Sequence, residues 1–276
     1  MSEWLKVVLL GIVEGVTEFL PISSTGHLII ASEFLALRDS LDGTFEIFIQ
    51  IGAVVAVFAY YRAALWQQAR LLFAPPQPED RASALQLWLG VFVAFIPAAI
   101  IGLMLDDWLE ARLFNPVAVA IALIVGGVMF LIVERWLQST RLDDQVTSVN
   151  DHPLTMRQAL IVGLWQCLAL IPGMSRSGMS IIGGMLAGLD RHRATDFSFY
   201  LALPTLGAAT LYTLARDFNQ LNNADLGFLL LGAAISAVVA WLSIDWLLRY
   251  VASNNFVPFG IYRIILGAVI LWLFLF

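Results

Sequence analysis

Glu14 and Glu18 stand four residues apart in "GIVEGVTEF", and "LPISSTGH", residues 20 to 27, follows at once. On a helix the two carboxylates share a face, where like charges repel by a few tenths of a kcal/mol even in water. At membrane depth each ionised group costs about 2.5 to 3.5 kcal/mol on insertion scales, so the pair would need a wet cavity, a shared proton or a cation. Close to the outer surface it would instead be a solvated helix face. Pro21 ends the preceding helix by removing a donor and crowding the turn before it. Ser23, Ser24 and Thr25 can each cap a following helix, expected to begin near Gly26 and His27. Capping uses one hydroxyl; three, beside a titratable imidazole, point to acid–base or nucleophilic chemistry.

A second polar interruption, "PGMSRSG" from Pro172, sets Ser175 and Ser177 on either side of Arg176, with glycines that let backbone approach a ligand. A helix starting after such a break presents free N–H groups and a positive dipole end, and arginine adds a bidentate clamp, so the stretch has the makings of an anion cradle. An arginine snorkelling from a helix end is the plainer reading.

The elements that must hold these residues belong in lipid. The 276 residues are 60% hydrophobic and 13% charged, and the mean hydropathy is +0.83, well above a soluble domain. Uncharged stretches at 86–105, 116–133, 197–215 and 226–244 are close to the ~20 residues that cross a hydrocarbon core. Two more, 45–61 and 258–276, carry one charge each. The N-terminal segment is expected to remain in the mature chain, because Glu14 and Glu18 interrupt its apolar run and no cleavage site follows. Cys167 has no second cysteine to pair with. A net charge of -6 without a basic run argues against nucleic acid.

Sliding the chain by 152 positions lays Gly11, Ser23, Gly26, Ile29 and Ile30 on Gly163, Ser175, Gly178, Ile181 and Ile182, and brings Arg176 opposite Ser24. The polar break itself recurs, which chance among apolar letters does not explain. The expected fold is therefore an all-α integral membrane protein forming one domain, 1–276, with internal repeats at about 1–140 and 153–276. Each repeat is a re-entrant helical hairpin plus three transmembrane helices, giving six spans. Short helices are expected at 5–20 and 27–37, and at 156–171 and 179–189. Three spans per repeat force the two halves into opposite orientation, as in inverted-repeat transporters. With 62–85, 135–157, 190–196 and 245–257 taken as cytoplasmic, Lys and Arg divide nine to four in favour of that side, which puts both termini outside. Glu46 and Gln50, four apart, either line the cavity or hydrogen-bond between helices. Arg263 is expected to snorkel or to pair with Asp245, "PPQPED" (75–80) to be a loop, and His152 and His192 to be loop residues.

"EGVTEFLPISSTGH" and "PGMSRSG" resemble the two signature motifs of the undecaprenyl-diphosphate phosphatases, the bacitracin-resistance proteins, and "FEIFIQIGA" and "FSFYLALP" extend the likeness along nearly the whole chain. The resemblance implies removal of the terminal phosphate from undecaprenyl diphosphate, a long-chain prenyl diphosphate lipid, to regenerate the carrier used in cell-wall synthesis. It implies that Glu14 and Glu18 bind a divalent cation, Mg²⁺ or Ca²⁺, or that one acts as base. Ser24 would be the nucleophile, with His27 handling its proton, or would only position an attacking water, and Arg176, Ser175, Ser177 and Thr25 would hold the diphosphate, with Ser23 and Gly173 in the same turns. The site is expected in a cell inner membrane, opening to the periplasmic or extracellular face; a homodimer is compatible with the sequence. The competing reading is a lipid-carrier flippase or transporter using the same inverted-repeat site.

Overall fold

Proline, glycine and capping hydroxyls divide an otherwise continuous apolar chain into helices. The computed structural model describes residues 1–35, 44–140, 149, 154–217 and 226–275. Among them every regular element is helical: α1 Glu3–Thr17, α2 Ser24–Leu35, α3 Thr44–Tyr60, α4 Arg62–Phe73, α5 Pro78–Leu113, α6 Pro116–Thr140, α7 Met156–Gln166, a 3₁₀ turn Cys167–Leu170, α8 Arg176–Leu186, α9 Arg191–Asp217, α10 Leu226–Val251 and α11 Val257–Leu275. Four of these, α5, α6, α10 and α11, are long and apolar enough to cross a membrane, and α3 with α4, bent by 65° at the break between them, is either a fifth, broken span or a re-entrant pair. Large apolar side chains such as Phe92, Leu103, Ile132, Leu230, Val238, Ile265 and Trp272 stay on the outside. Such a surface suits lipid rather than water, and helices satisfy their own backbone there. The chain is a multi-pass membrane protein.

The two short hairpins pack on long helices of the opposite half. α1 lies along α10 and α7 along α5, while α3 packs on α10 and on α9, and α6 pairs with α11. Gly11 is what lets α1 seat so closely: a Cβ there would stand 2.9 Å from the Gly232 carbonyl oxygen of α10. Its counterpart Gly163 does the same on α5, where a Cβ would stand 2.5 Å from the Ala94 oxygen. Small residues at such contacts bring helix backbones together where no water is present to drive association.

Several boundaries differ from those expected of hydropathy. Residues 62–85 are mostly helix, in α4 and the start of α5. Only the first half of "PPQPED" is a loop: residues 75–77 connect α4 to α5, Gln77 and Asp80 form a reciprocal cap, and Pro78 is the first residue of α5. The connections 190–196 and 245–257 shrink because α9 begins at Arg191 and α10 runs to Val251, which also puts His192 on a helix. The second helices of the hairpins start earlier than expected, at Ser24 and Arg176. Leu37, Arg38, Arg141 and His152, and the side chain of Glu46, lie outside the described residues.

Candidate active site

The two breaks are built alike. α1 ends at Thr17, and the chain turns through Glu18 to Ser23 before α2 begins. Ser23 adopts φ 72°, and its hydroxyl accepts the Gly26 N–H at 3.4 Å. In the second break Ser175 adopts φ 71°, and its hydroxyl accepts the Gly178 N–H at 3.1 Å. Ser23 and Ser175 are the residues that the 152-position shift superposes, and among the described residues no other non-glycine has positive φ. Holding a serine there costs about 1 to 3 kcal/mol and persists only where neighbouring contacts over-determine it.

Contacts between the breaks supply that constraint. The Ser177 hydroxyl donates to the Leu20 carbonyl at 3.1 Å. Arg176 Nη2 donates to Glu18 Oε1 at 3.1 Å, and Nη1 donates to the Ser198 carbonyl of α9 at 3.2 Å. The guanidinium also lies 5.5 Å from the centre of the Phe19 ring. On the other oxygen of the same carboxylate, Ser24 Oγ donates to Glu18 Oε2 at 2.5 Å. Serine, carboxylate and arginine thus form one connected unit, with Ser24 and Glu18 from the first half and Arg176 from the second.

This unit borders a cavity of about 110 Å³. A single water needs about 10 to 15 Å³ of such space, so the cavity has room for a small polar headgroup and not for a whole lipid. Glu18, Ser23, Ser24 and Thr25 line it from the first break, Gly173, Ser175 and Arg176 from the second, and Gln50 of α3 and Leu206 of α9 close it. Seven of the ten residues singled out by sequence therefore meet at one wall. Glu14 is fully buried one turn behind Glu18 and acts on the Arg176 charge. Ser177 is fully buried and spent on the tie to Leu20.

His27 faces elsewhere. Its Nδ1 lies 2.7 Å from the Ser23 carbonyl and its Nε2 lies 2.7 Å from the Tyr262 hydroxyl. A carbonyl only accepts, so Nδ1 carries the proton and, in the neutral ring, Nε2 accepts from Tyr262. The ring stacks on Tyr262 with an interplanar angle of 5°. The expected proton link between His27 and Ser24 is not formed in this arrangement; Glu18 occupies that position.

Arg263 corrects the sequence reading outright. It neither snorkels nor pairs with Asp245, which is bound to Arg249 at 2.8 Å. Arg263 is fully buried, and its donors go to the carbonyls of Leu123, Pro21, Gly173 and Met174. The available signal was a charge six residues into an apolar helix, which in lipid marks function more often than accident. Ser198 and Phe19 had no such signal, because they contribute a carbonyl and a ring face.

For a cation, the donors at this end of α1 are all oxygen: two carboxylates a helical turn apart and neighbouring hydroxyls. Among the described residues no cluster of three His, Cys, Asp or Glu forms a ready-made cage. Oxygen donors of this kind are what a hard divalent ion would take, but Glu14 does not line the cavity and both Glu18 oxygens are engaged by Ser24 and Arg176.

The family model described as "Bacitracin resistance protein BacA" matches residues 7–269. An "Undecaprenyl-diphosphatase" of Polaromonas naphthalenivorans is 49% identical over 268 residues, covering 97% of this chain and 94% of that protein. "Undecaprenyl-diphosphatase 1" of Burkholderia lata is 47% identical over 266 residues, covering 96% and 94%. A protein of Albidiferax ferrireducens with the first of these names is 46% identical over 267 residues. With both breaks inside the matched span, the chain belongs to the bacitracin resistance protein BacA family.

Proposed function

We propose that this chain hydrolyses undecaprenyl diphosphate to undecaprenyl phosphate and inorganic phosphate. The observation that carries the reading is the Ser24–Glu18–Arg176 unit at a cavity with room for a small polar headgroup, among membrane-type helices; relatives named for this activity cover 94% of their own length with it. Arg176 clamps the terminal phosphoryl group and steadies the charge that develops on its oxygens. Glu18 takes the Ser24 proton as Ser24 Oγ attacks phosphorus, and undecaprenyl phosphate leaves. Water then releases phosphate from the serine. In the alternative course, Glu18 takes the proton from water directly and Ser24 only orients it; acid-stable phosphoserine in quenched reactions separates the two. Glu14 and Glu18 would hold Mg²⁺ or Ca²⁺, which supplies charge neutralisation at the phosphate oxygens.

We infer further that the halves are inverted repeats with six spans, the site opening to the periplasmic or extracellular face and both termini there. The matched φ values of Ser23 and Ser175 support a repeat, as does the crossed seating of Gly11 on α10 and Gly163 on α5. The nine-to-four charge division supports the orientation. The same symmetry is what favours a flippase as second reading, since matched broken helices suit alternating access. Purified protein should release phosphate from undecaprenyl diphosphate, lose at least tenfold of that rate in EDTA, and regain it with Mg²⁺ or Ca²⁺. Headgroup movement across vesicles without hydrolysis would sink the phosphatase reading.

A further inference from the structure

A charge buried in lipid-depth helix needs a reason, and Arg263 has no acid to answer it. It is fully buried in α11, and among the described residues no carboxylate lies within ion-pair distance. Its planar fork is spread over backbone instead. Nη1 donates to Pro21 O at 3.1 Å, Nη2 to Gly173 O and Met174 O at 3.0 Å each, and Nε to Leu123 O of α6 at 3.4 Å. Pro21 belongs to the break that carries Ser24, and Gly173 and Met174 to the break that carries Arg176. One side chain therefore ties together the two turns whose separation sets the Ser24–Arg176 geometry.

Two details tie this to chemistry. Gly173 lines the cavity while its carbonyl accepts from Arg263, so the guanidinium sits behind the wall by the thickness of one peptide. The Met174–Ser175 peptide is trans, so drawing the Met174 carbonyl to Arg263 turns the Ser175 N–H the opposite way. The charge and the peptide orientation both favour an anion on the cavity side.

We propose that Arg263 is a positioning residue for phosphoryl transfer: it fixes both breaks in register and backs the phosphate pocket with a positive charge that the substrate, not the protein, compensates. Lysine cannot reproduce this, because three radial donors on a shorter stem do not match a flat fork bridging four carbonyls. The environment is built to fit: a Cβ at Gly126 of α6 would overlap Nη2 and stand 2.8 Å from Cζ.

The proposal rests on the phosphatase reading, and the test separates the two. Phosphate release from undecaprenyl diphosphate is measured for the full chain in detergent, normalised to monodisperse protein, for wild type, Arg263→Lys, Arg176→Lys and the double variant. No turnover by wild type sinks the phosphatase reading itself. Given turnover, Arg263→Lys is expected to lower kcat on the order of ten- to a hundredfold, the scale of a misplaced reacting group. The double variant should lose less than the product of the single losses, because both changes act on one cradle. A purely structural arginine would leave the rate per folded molecule within about twofold of wild type, or give losses that multiply; either result overturns the proposal. If Arg263→Lys does not fold, Gly126→Ala keeps the guanidinium but displaces it: a lowered kcat is expected, and a wild-type rate overturns the proposal.

Discussion

Glu18→Gln is the sharpest perturbation of the site because it changes charge and proton affinity while keeping shape. In the native protein one carboxylate oxygen accepts from Ser24 and the other from Arg176, with the side chains of Glu18 and Arg176 6% and 10% exposed. The amide can still accept from Arg176, but it cannot take a proton from Ser24 or from water. A positioned base contributes about 10²- to 10⁴-fold, which is about 2.7 to 5.4 kcal/mol of barrier at 1.36 kcal/mol per tenfold. With the cation at saturating concentration, the change frees Arg176 from a competing anion, so the diphosphate should bind no more weakly. The expected result is therefore a kcat lower by about 10²- to 10⁴-fold with KM unchanged or reduced, read from initial rates of phosphate release over a substrate series. A kcat within tenfold of wild type would refute Glu18 as the base. A raised KM at unchanged kcat would show that Glu18 serves binding alone.

Other expectations are smaller or lie away from the site. Tyr262→Phe removes the hydroxyl that His27 Nε2 accepts; with one neutral hydrogen bond lost, worth about 1 kcal/mol, the rate should stay within about fivefold of wild type, and a larger loss in kcat would restore His27 to the proton path. Glu134 is fully buried, holds Arg191 through both oxygens and accepts the Phe256 N–H. Glu134→Gln should destabilise the fold by about 2 to 3 kcal/mol, discounted from the buried-pair range because Arg191 is partly exposed. Thermal unfolding in detergent should register this while the rate per folded molecule stays unchanged. Gln50→Leu places an apolar group on the cavity wall and should raise KM by a few-fold, on the scale of one lost polar contact, with kcat little altered; a wild-type KM would show that Gln50 does not touch the headgroup.

Helices and breaks were legible in the sequence because lipid leaves few choices: apolar runs must be helical, and Pro21 and Pro172 stop them. Helix ends were not, because caps set them rather than hydropathy. α5 runs through Glu79, Asp80 and Arg81 at one end and Asp106, Asp107 and Glu110 at the other, since such residues cost a helix at most about 0.7 kcal/mol each once the span has left the apolar layer. α4 was hidden for the same reason, being polar enough to pass for a loop. At the candidate site, type and spacing picked out seven residues that line one cavity. His27 was expected beside the Ser24 hydroxyl; helical side chains point back toward the N-terminus, which carries its ring to the Ser23 carbonyl. Arg263 was misread because its partners are backbone carbonyls, which carry no signature in sequence.

The central claim is that one phosphatase site is assembled from both breaks, with Arg176 delivered by the second half to Ser24 and Glu18 of the first. Steady-state hydrolysis of undecaprenyl diphosphate by purified wild type and by Arg176→Ala tests it most directly. The account predicts robust phosphate release from wild type and a loss of at least a hundredfold in kcat/KM on removing the clamp. Arg176→Ala turning over within twofold of wild type would contradict it.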